Sequence, residues 1–222
     1  MTAAPETTAA EIAEAARIIT GAGLVEAFGH VSARSGQGFM ITSTRPLGST
    51  GEADIHLLDG ECRAAADATD LPLEAPMHAA IYAARNDVNA ICRTHSPAAV
   101  RAGAIGVIPP LVHGLGGLAG EVAISDRTDL VTDFAAGEEI ANALQSADCL
   151  LVRGNGSIAT GHSLGEAVVR ARFLEERCLV GEGFGTADGW TAVELESRAR
   201  WFEKETTRAW AWMRWRFEEK GE

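Results

Sequence analysis

The chain has 222 residues, 46% of them apolar and 23% charged, and carries a net charge of −12. That balance supports one sizeable core and excludes a disordered chain, while the acidity excludes nucleic acid and anionic membrane surfaces as partners. No long apolar run suited to spanning a membrane is present, and the widely spaced Cys62, Cys92, Cys149 and Cys178 fit neither a disulfide framework nor a zinc ribbon.

A reduced, cytoplasmic setting is therefore expected, and the opening residues show no signal-peptide pattern. Residues 1–7 read as a loose start. Thr8 and Glu11 then form a capping box, Ile12, Ala15, Ala16 and Ile19 follow at helical spacing, and G-A-G at 21–23 ends the helix. Strand-like pieces follow at 39–42 and 54–58, the second closed by D-G, with a loop over 60–73. A helix is predicted from Ala75 to Arg85, with Pro76 tolerated in its first turn. V-N-A-I-C-R-T (88–94) is the clearest strand, and a short helix opens near Pro97. The glycine- and proline-rich stretch 105–125 reads as loop and short strand. Asp126 is the expected cap of a helix or helix pair running to Gln145. A-D-C-L-L-V (147–152) reads as a buried strand, G-N-G-S as a turn into another strand, and Ser163 with Glu166 as the cap of a helix reaching Val180. After a glycine-rich linker, Thr191 and Glu194 open one long helix to about Glu219. This organisation divides into a domain over 1–182 and a linker with an aromatic helix over 183–222. The fold class is α/β, with a mixed sheet between helices.

All five tryptophans lie at or after position 190. Trp201, Arg208, Trp212 and Trp215 share a broad helical face. It either covers the sheet or meets another subunit, where Trp and Arg are enriched.

Four stretches could carry chemistry. In I-C-R-T-H-S-P, Arg93 and His95 project to the same side of a strand end, a place where active sites in α/β folds gather. The plain alternative is an arginine paired with a carboxylate and a histidine bonded to a loop. Glu74 stands at a loop-to-helix junction, as a general acid/base or simply as a favourable charge at the helix N-terminus. His78 falls on the same helix face four residues on, where a histidine commonly serves the core or supports another side chain. In R-G-N-G-S, Asn155 either reaches into a site or serves a turn that needs left-handed backbone. His30 and Ser32 alternate in G-H-V-S-A-R, near the hydroxyls of Thr42 and Ser43 in I-T-S-T-R, either as anion-holding groups or as ordinary hairpin polarity.

Taken in order, G-H-V-S-A-R, L-L-D-G-E, L-E-A-P-M-H…C-R-T-H-S-P, C-L-L-V-R-G-N-G-S and G-H-S-L-G-E-A-V-V-R-A-R resemble the class II aldolase/adducin family over roughly residues 10–182. The resemblance implies a three-layer α/β/α sandwich with a largely antiparallel sheet, a homotetramer, and lyase or isomerase chemistry. It also implies a divalent metal on three histidines beside an acid/base glutamate. Glu74 and His95 keep their places in that pattern, but the other two histidine positions hold Arg93 and Asn155. Arginine stays protonated and has no lone pair to give. At about 4 Å and an effective dielectric near 20, it would repel a divalent ion by roughly 8 kcal/mol.

The expectation is therefore no metal and no cofactor, with Arg93 replacing the cation. Glu74, Arg93, His95 and Asn155 are the catalytic candidates; His30, Ser32, Thr42, Ser43 and His113 are candidates for substrate binding. The reaction expected is C–C cleavage, decarboxylation, dehydration or isomerisation of a small oxo- or hydroxy-carboxylic acid. Two alternatives stand beside it: a non-catalytic scaffold like the adducin branch, and an enzyme whose metal sits on rearranged ligands.

Overall fold

A computed structural model describes residues 7–64, 68–185 and 189–217. All but the last residue of the loose start expected over 1–7, the centre of the 60–73 loop and the end of the run to Glu219 lie outside the described residues.

Seven strands form one sheet in the order β3-β2-β1-β4-β7-β6-β5: β1 (His30–Ser35), β2 (Gly38–Thr42), β3 (Ile55–Leu58), β4 (Ala90–Thr94), β5 (Val122–Ser125), β6 (Cys149–Val152) and β7 (Ser157–Gly161). Every pairing is antiparallel except β5 with β6. The strand period sorts the side chains into two cores. Val31, Ala33, Ala90, Cys92 and Ala159 face a layer that includes α1 (Ala9–Gly21), α3 (Pro97–Ile105) and α5 (Leu164–Val180). Phe39, Ile41, Ile91, Leu150 and Ile158 face α2 (Ala75–Ala84) and α4 (Phe134–Leu144). The result is the expected α/β/α sandwich with a mixed, largely antiparallel sheet.

Three local expectations change. The polar alternation of His30, Ser32 and Arg34 belongs to a central strand, β1, which pairs with both β2 and β4. In the sequence His30 and Ser32 read equally well as anion-holding groups or hairpin polarity because their partners lie far away in the chain. Asp126 does not cap a helix: Val122–Ser125 pairs with β6, and the cap falls to Asp133, whose carboxylate accepts from the Ala136 N–H at 2.8 Å. The single C-terminal helix is two, α6 (Ala192–Ala199) and α7 (Phe202–Phe217). The chain tightens where the Trp201 N–H bonds back three residues to the Arg198 carbonyl at 3.1 Å. α7 then buries Met213, sets the Trp210 ring against Gly165 of α5, and ties Arg214 to Glu14 of α1. Trp201, Trp212 and Trp215 stay exposed.

Candidate active site

β1 and β4 are joined so that His30 lies directly opposite Arg93. Register partners share a face, so the imidazole and the guanidinium meet on the α2 side of the sheet. α2 supplies the third wall. Glu74 is the residue before its first turn, yet its side chain makes no capping bond to the helix. It turns to the sheet instead, placing Oε2 3.2 Å from Arg93 Nε and 3.4 Å from His30 Nε2. The helix-charge explanation for Glu74 is thereby replaced by a buried ion pair.

Arg93 is 1% exposed and heads the largest fully buried side chains. Its Nη1 donates to the main-chain carbonyls of Asn155 at 2.6 Å, Thr94 at 3.0 Å and Ser157 at 3.5 Å. Nη2 has no acceptor among the described residues, so one edge of the fork remains uncommitted. Likewise Glu74 Oε2 takes both ionic contacts, and Oε1 has no partner among the described residues. These two free edges, with the His95 ring two residues beyond Arg93, define the reactive corner.

Two glycines make this corner possible. Gly156 has φ +80°, and a Cβ there would stand 2.1 Å from the Thr94 carbonyl oxygen. Only glycine lets the 153–156 turn press against the end of β4 and deliver the Asn155 carbonyl to Arg93. Gly29 has φ +139°, and its Cβ would meet Val25 at 2.6 Å and the Arg93 carbonyl at 2.9 Å, so the residue before His30 must also lack a side chain.

The electrostatics follow from the packing. Burial alone would raise the Glu74 carboxyl, but the His30 contact and the Arg93 charge outweigh it and hold the group down at about 2. Burial, then the Arg93 charge, push His95 down to about 4, with Glu74 opposing. Burial lowers His30 and drives His78 well below its usual value. At neutral pH the corner therefore holds an ionised carboxylate, a guanidinium and neutral imidazoles.

Several candidates sit differently from expectation. Asn155 serves Arg93 through its main chain, and the left-handed residues of its turn are Gly154 and Gly156, so the side-chain amide is not what the turn contributes. Ser32 is fully buried between His78 and Tyr82, which removes it from substrate contact. His30 is engaged on both nitrogens, by Glu74 and by His78. Thr42 follows Ile41 in β2, so the strand alternation turns it to the face opposite Ile41, away from Glu74; its hydroxyl accepts from the Val31 N–H at 3.2 Å. The Ser43 hydroxyl accepts from the Arg45 N–H at 3.2 Å and shapes a turn. His113 lies 3.3 Å from Glu176 on α5, which packs on the other face of the sheet. Tyr82 is not among the candidates read from the sequence, which leaves His78 as either a core residue or a support for another side chain; the structure shows the second. The signal for both is the spacing of Glu74, His78 and Tyr82, four residues apart on one helix stripe.

A groove of about 1040 Å³ lies among α5, α6 and α7, lined by Gly117, Asp148, Arg170, Arg177, Phe202 and Thr206 among others. Its size does not make it the reaction site. Arg170 is bound to Asp148 at 2.7 Å and Glu166 at 3.0 Å, and Arg177 to the carbonyls of Pro109 at 3.0 Å and Gly120 at 3.3 Å. Its basic groups are committed to the fold.

The sandwich and the Glu74–Arg93 corner at the end of β4 define an aldolase-like α/β/α protein. The chain belongs to the class II aldolase and adducin family: residues 10–180 match the Class II Aldolase and Adducin N-terminal domain. Among its relatives, the 3,4-dihydroxyphthalate decarboxylase of Rhodococcus jostii (strain RHA1) is 27% identical over 202 residues, 83% of each chain. The enzyme of that name from Arthrobacter keyseri is 30% identical over 177 residues, covering 72% of this chain and 71% of its own. Among solved structures, an aldolase II superfamily protein from Pseudomonas syringae superposes with a TM-score of 0.81 at 19% identity, covering 99% of this chain and 96% of that one. An L-fuculose 1-phosphate aldolase superposes at 0.78 with 22% identity, covering 90% and 98%. These structural matches speak to the fold.

Proposed function

We propose that the chain is an aldolase-like lyase that decarboxylates a hydroxylated aromatic acid without a metal. The observation that carries this reading is the buried Arg93–Glu74 pair at the place where the family pattern expects a metal-binding histidine. The relatives named as decarboxylases of a dihydroxylated aromatic diacid support the choice of substrate and reaction.

The family's metal does not suit these residues. Arg93 offers no lone pair, Asn155 turns its carbonyl to Arg93, and no cluster of three or more His, Cys, Asp or Glu able to hold an ion exists among the described residues. The guanidinium instead supplies a fixed positive charge. Its free Nη2 edge donates to the substrate oxygen that becomes anionic, in a corner where such bonds are charge-assisted. Glu74 Oε1 accepts the proton of a ring hydroxyl beside the departing carboxylate and delivers it to the ring carbon that carries that carboxylate. The carbon–carboxylate bond then breaks, its electrons restore the aromatic ring as a phenolate, and CO2 leaves. Water returns the phenolic proton. Neutral His95, at the strand end beside Arg93, contacts the substrate as a hydrogen-bonding group. A homotetramer is the proposed working form, supported by the exposed Trp201, Trp212 and Trp215 as an assembly surface.

The test is to incubate purified protein with 3,4-dihydroxyphthalate and follow CO2 release, with L-fuculose 1-phosphate as the competing substrate. Decarboxylation is expected, and Glu74→Gln is expected to reduce it by at least about 100-fold, the scale of losing a positioned acid/base. Cleavage of the sugar phosphate by a protein inert towards the aromatic acid would overturn the reading.

A further inference from the structure

Behind Glu74 runs a continuous chain of buried polar groups that the reaction above does not use. His30 Nδ1 lies 2.6 Å from His78 Nε2, and His78 Nδ1 lies 2.6 Å from Ser32 Oγ. Ser32 Oγ in turn lies 2.8 Å from the Tyr82 hydroxyl. Ser32 and His78 are 0% exposed, Tyr82 4%, His30 6% and Glu74 7%. The far end is locked as well as sealed. The Arg34 guanidinium stands 4.8 Å over the Tyr82 ring while Nη2 donates to the Tyr82 carbonyl at 2.9 Å, and Phe39 packs on the same ring at 5.4 Å.

The chemistry of the groups favours one direction through this chain. An ionised Glu74 only accepts, so a His30 Nε2–H gives its Oε2, 3.4 Å away, a second donor beside Arg93 Nε, whereas a bare Nε2 would set a lone pair against it. A neutral imidazole has one N–H, so His30 Nδ1 is bare and must accept from His78 Nε2–H. By the same rule His78 Nδ1 is bare and accepts the Ser32 hydroxyl proton, and Ser32 Oγ accepts from the Tyr82 O–H. Every donor points towards Glu74. Reversal would need a protonated Glu74, an imidazolium at His30, or a bare His30 Nε2 set against the Glu74 carboxylate; burial and the adjacent Arg93 charge oppose the second, and repulsion between the nitrogen lone pair and Oε2 3.4 Å away opposes the third.

We propose that Tyr82, Ser32 and His78 are positioning residues that fix His30 as its Nε2–H tautomer and so hold Glu74 by Oε2, leaving Oε1 as the single oxygen that meets substrate. The chain's role in catalysis rests on the reading of Glu74 as the acid/base; its direction does not. With His30 free to change tautomer, its bare nitrogen would face the carboxylate, and Oε2 would lose one of its two holders. The carboxyl could then rotate and offer either oxygen.

The experiment uses the full chain labelled with ¹⁵N-histidine. Two-bond ¹H–¹⁵N spectra at neutral pH should assign His30 and His78 as Nε2–H tautomers in the wild type. His78→Gln can keep the direction, since its amide oxygen accepts from Ser32 and its NH2 donates to His30. His78→Leu cannot. The expected result is that His30 keeps its tautomer in H78Q and becomes mixed in H78L. The kcat for 3,4-dihydroxyphthalate should fall by about 10-fold in H78L with KM little changed, the scale seen when an orienting partner is lost, and H78Q should recover most of it. An Nδ1–H or imidazolium His30 in the wild type, or an unchanged His30 tautomer in H78L, would overturn the proposal. Because the wild-type spectrum needs no substrate and no variant, it decides the direction of the chain even where H78L does not fold. An active Glu74→Gln enzyme would count against the reading of Glu74 and against the catalytic role of the chain together, while leaving the tautomer result to stand.

Discussion

Replacing Arg93 with methionine keeps an unbranched apolar stem, stops short of the guanidinium, and removes its charge and donors. The structure sets the scale of the damage. Glu74 loses its guanidinium partner at 3.2 Å, and the carbonyls of Asn155 and Thr94 lose donors at 2.6 and 3.0 Å. Breaking a buried pair from one side costs about 3–5 kcal/mol, and a buried carbonyl left without its donor adds about 1–3 kcal/mol unless water enters. These terms overlap, so R93M should lose about 4–5 kcal/mol at pH 7, a large share of an ordinary domain's stability. The assay is urea unfolding of wild type, R93M, Glu74→Gln and the double variant. E74Q strands the opposite charge, so the double variant should be more stable than the sum of the singles implies by at least about 2 kcal/mol. pH adds a signed check. The wild-type Glu74 carboxyl sits at about 2, below its ordinary 4.5, so its contribution is full above 4.5 and fades as pH falls towards 2. The gap between wild type and R93M should therefore widen as pH rises across that window. A loss below about 1 kcal/mol, or strict additivity, would refute the reasoning.

Stability should also fall as pH drops from 6.5 to about 4, because the unfolded chain protonates His95 in that window and the folded chain does not. Urea midpoints at pH 7 and pH 5 check this, and His95→Gln should flatten the slope. Gly156→Ala should cost at least about 1–2 kcal/mol from left-handed backbone alone, with more from the contact its Cβ would make with the Thr94 carbonyl at 2.1 Å. Thermal unfolding reads that loss, whereas Gly154→Ala, whose Cβ would meet nothing within 4 Å, should lose only the backbone part.

β4 and β6 were legible because largely apolar runs such as C-L-L-V have few other homes, and the capping boxes at Thr8 and Thr191 are local signals that the structure keeps. β1 was not legible. Its polar His30 and Ser32 are compatible with a central strand only because α2, more than forty residues on, supplies His78 and Tyr82 to bond them. The same distance hid the depth of Arg93. The sequence places it beside His95 at a strand end, but its burial depends on Glu74 from one side and the 153–156 turn from another. Thr42 shows the converse error. Its hydroxyl looks available in I-T-S-T-R, but the alternation of β2 turns it to the opposite face, where it accepts from the Val31 N–H. The break between α6 and α7 carried no proline or glycine to announce it; it follows from α7 docking on α5 and α1.

The central claim of the proposed function is that the guanidinium of Arg93 supplies the positive charge at a position where the family pattern implies a metal-binding histidine. The most direct measurement is elemental analysis of the purified wild-type protein, paired with CO2 release from 3,4-dihydroxyphthalate before and after exhaustive chelation. The account predicts substoichiometric transition metal and undiminished turnover after chelation. One divalent ion per chain, with activity lost on its removal and restored on its return, would contradict it.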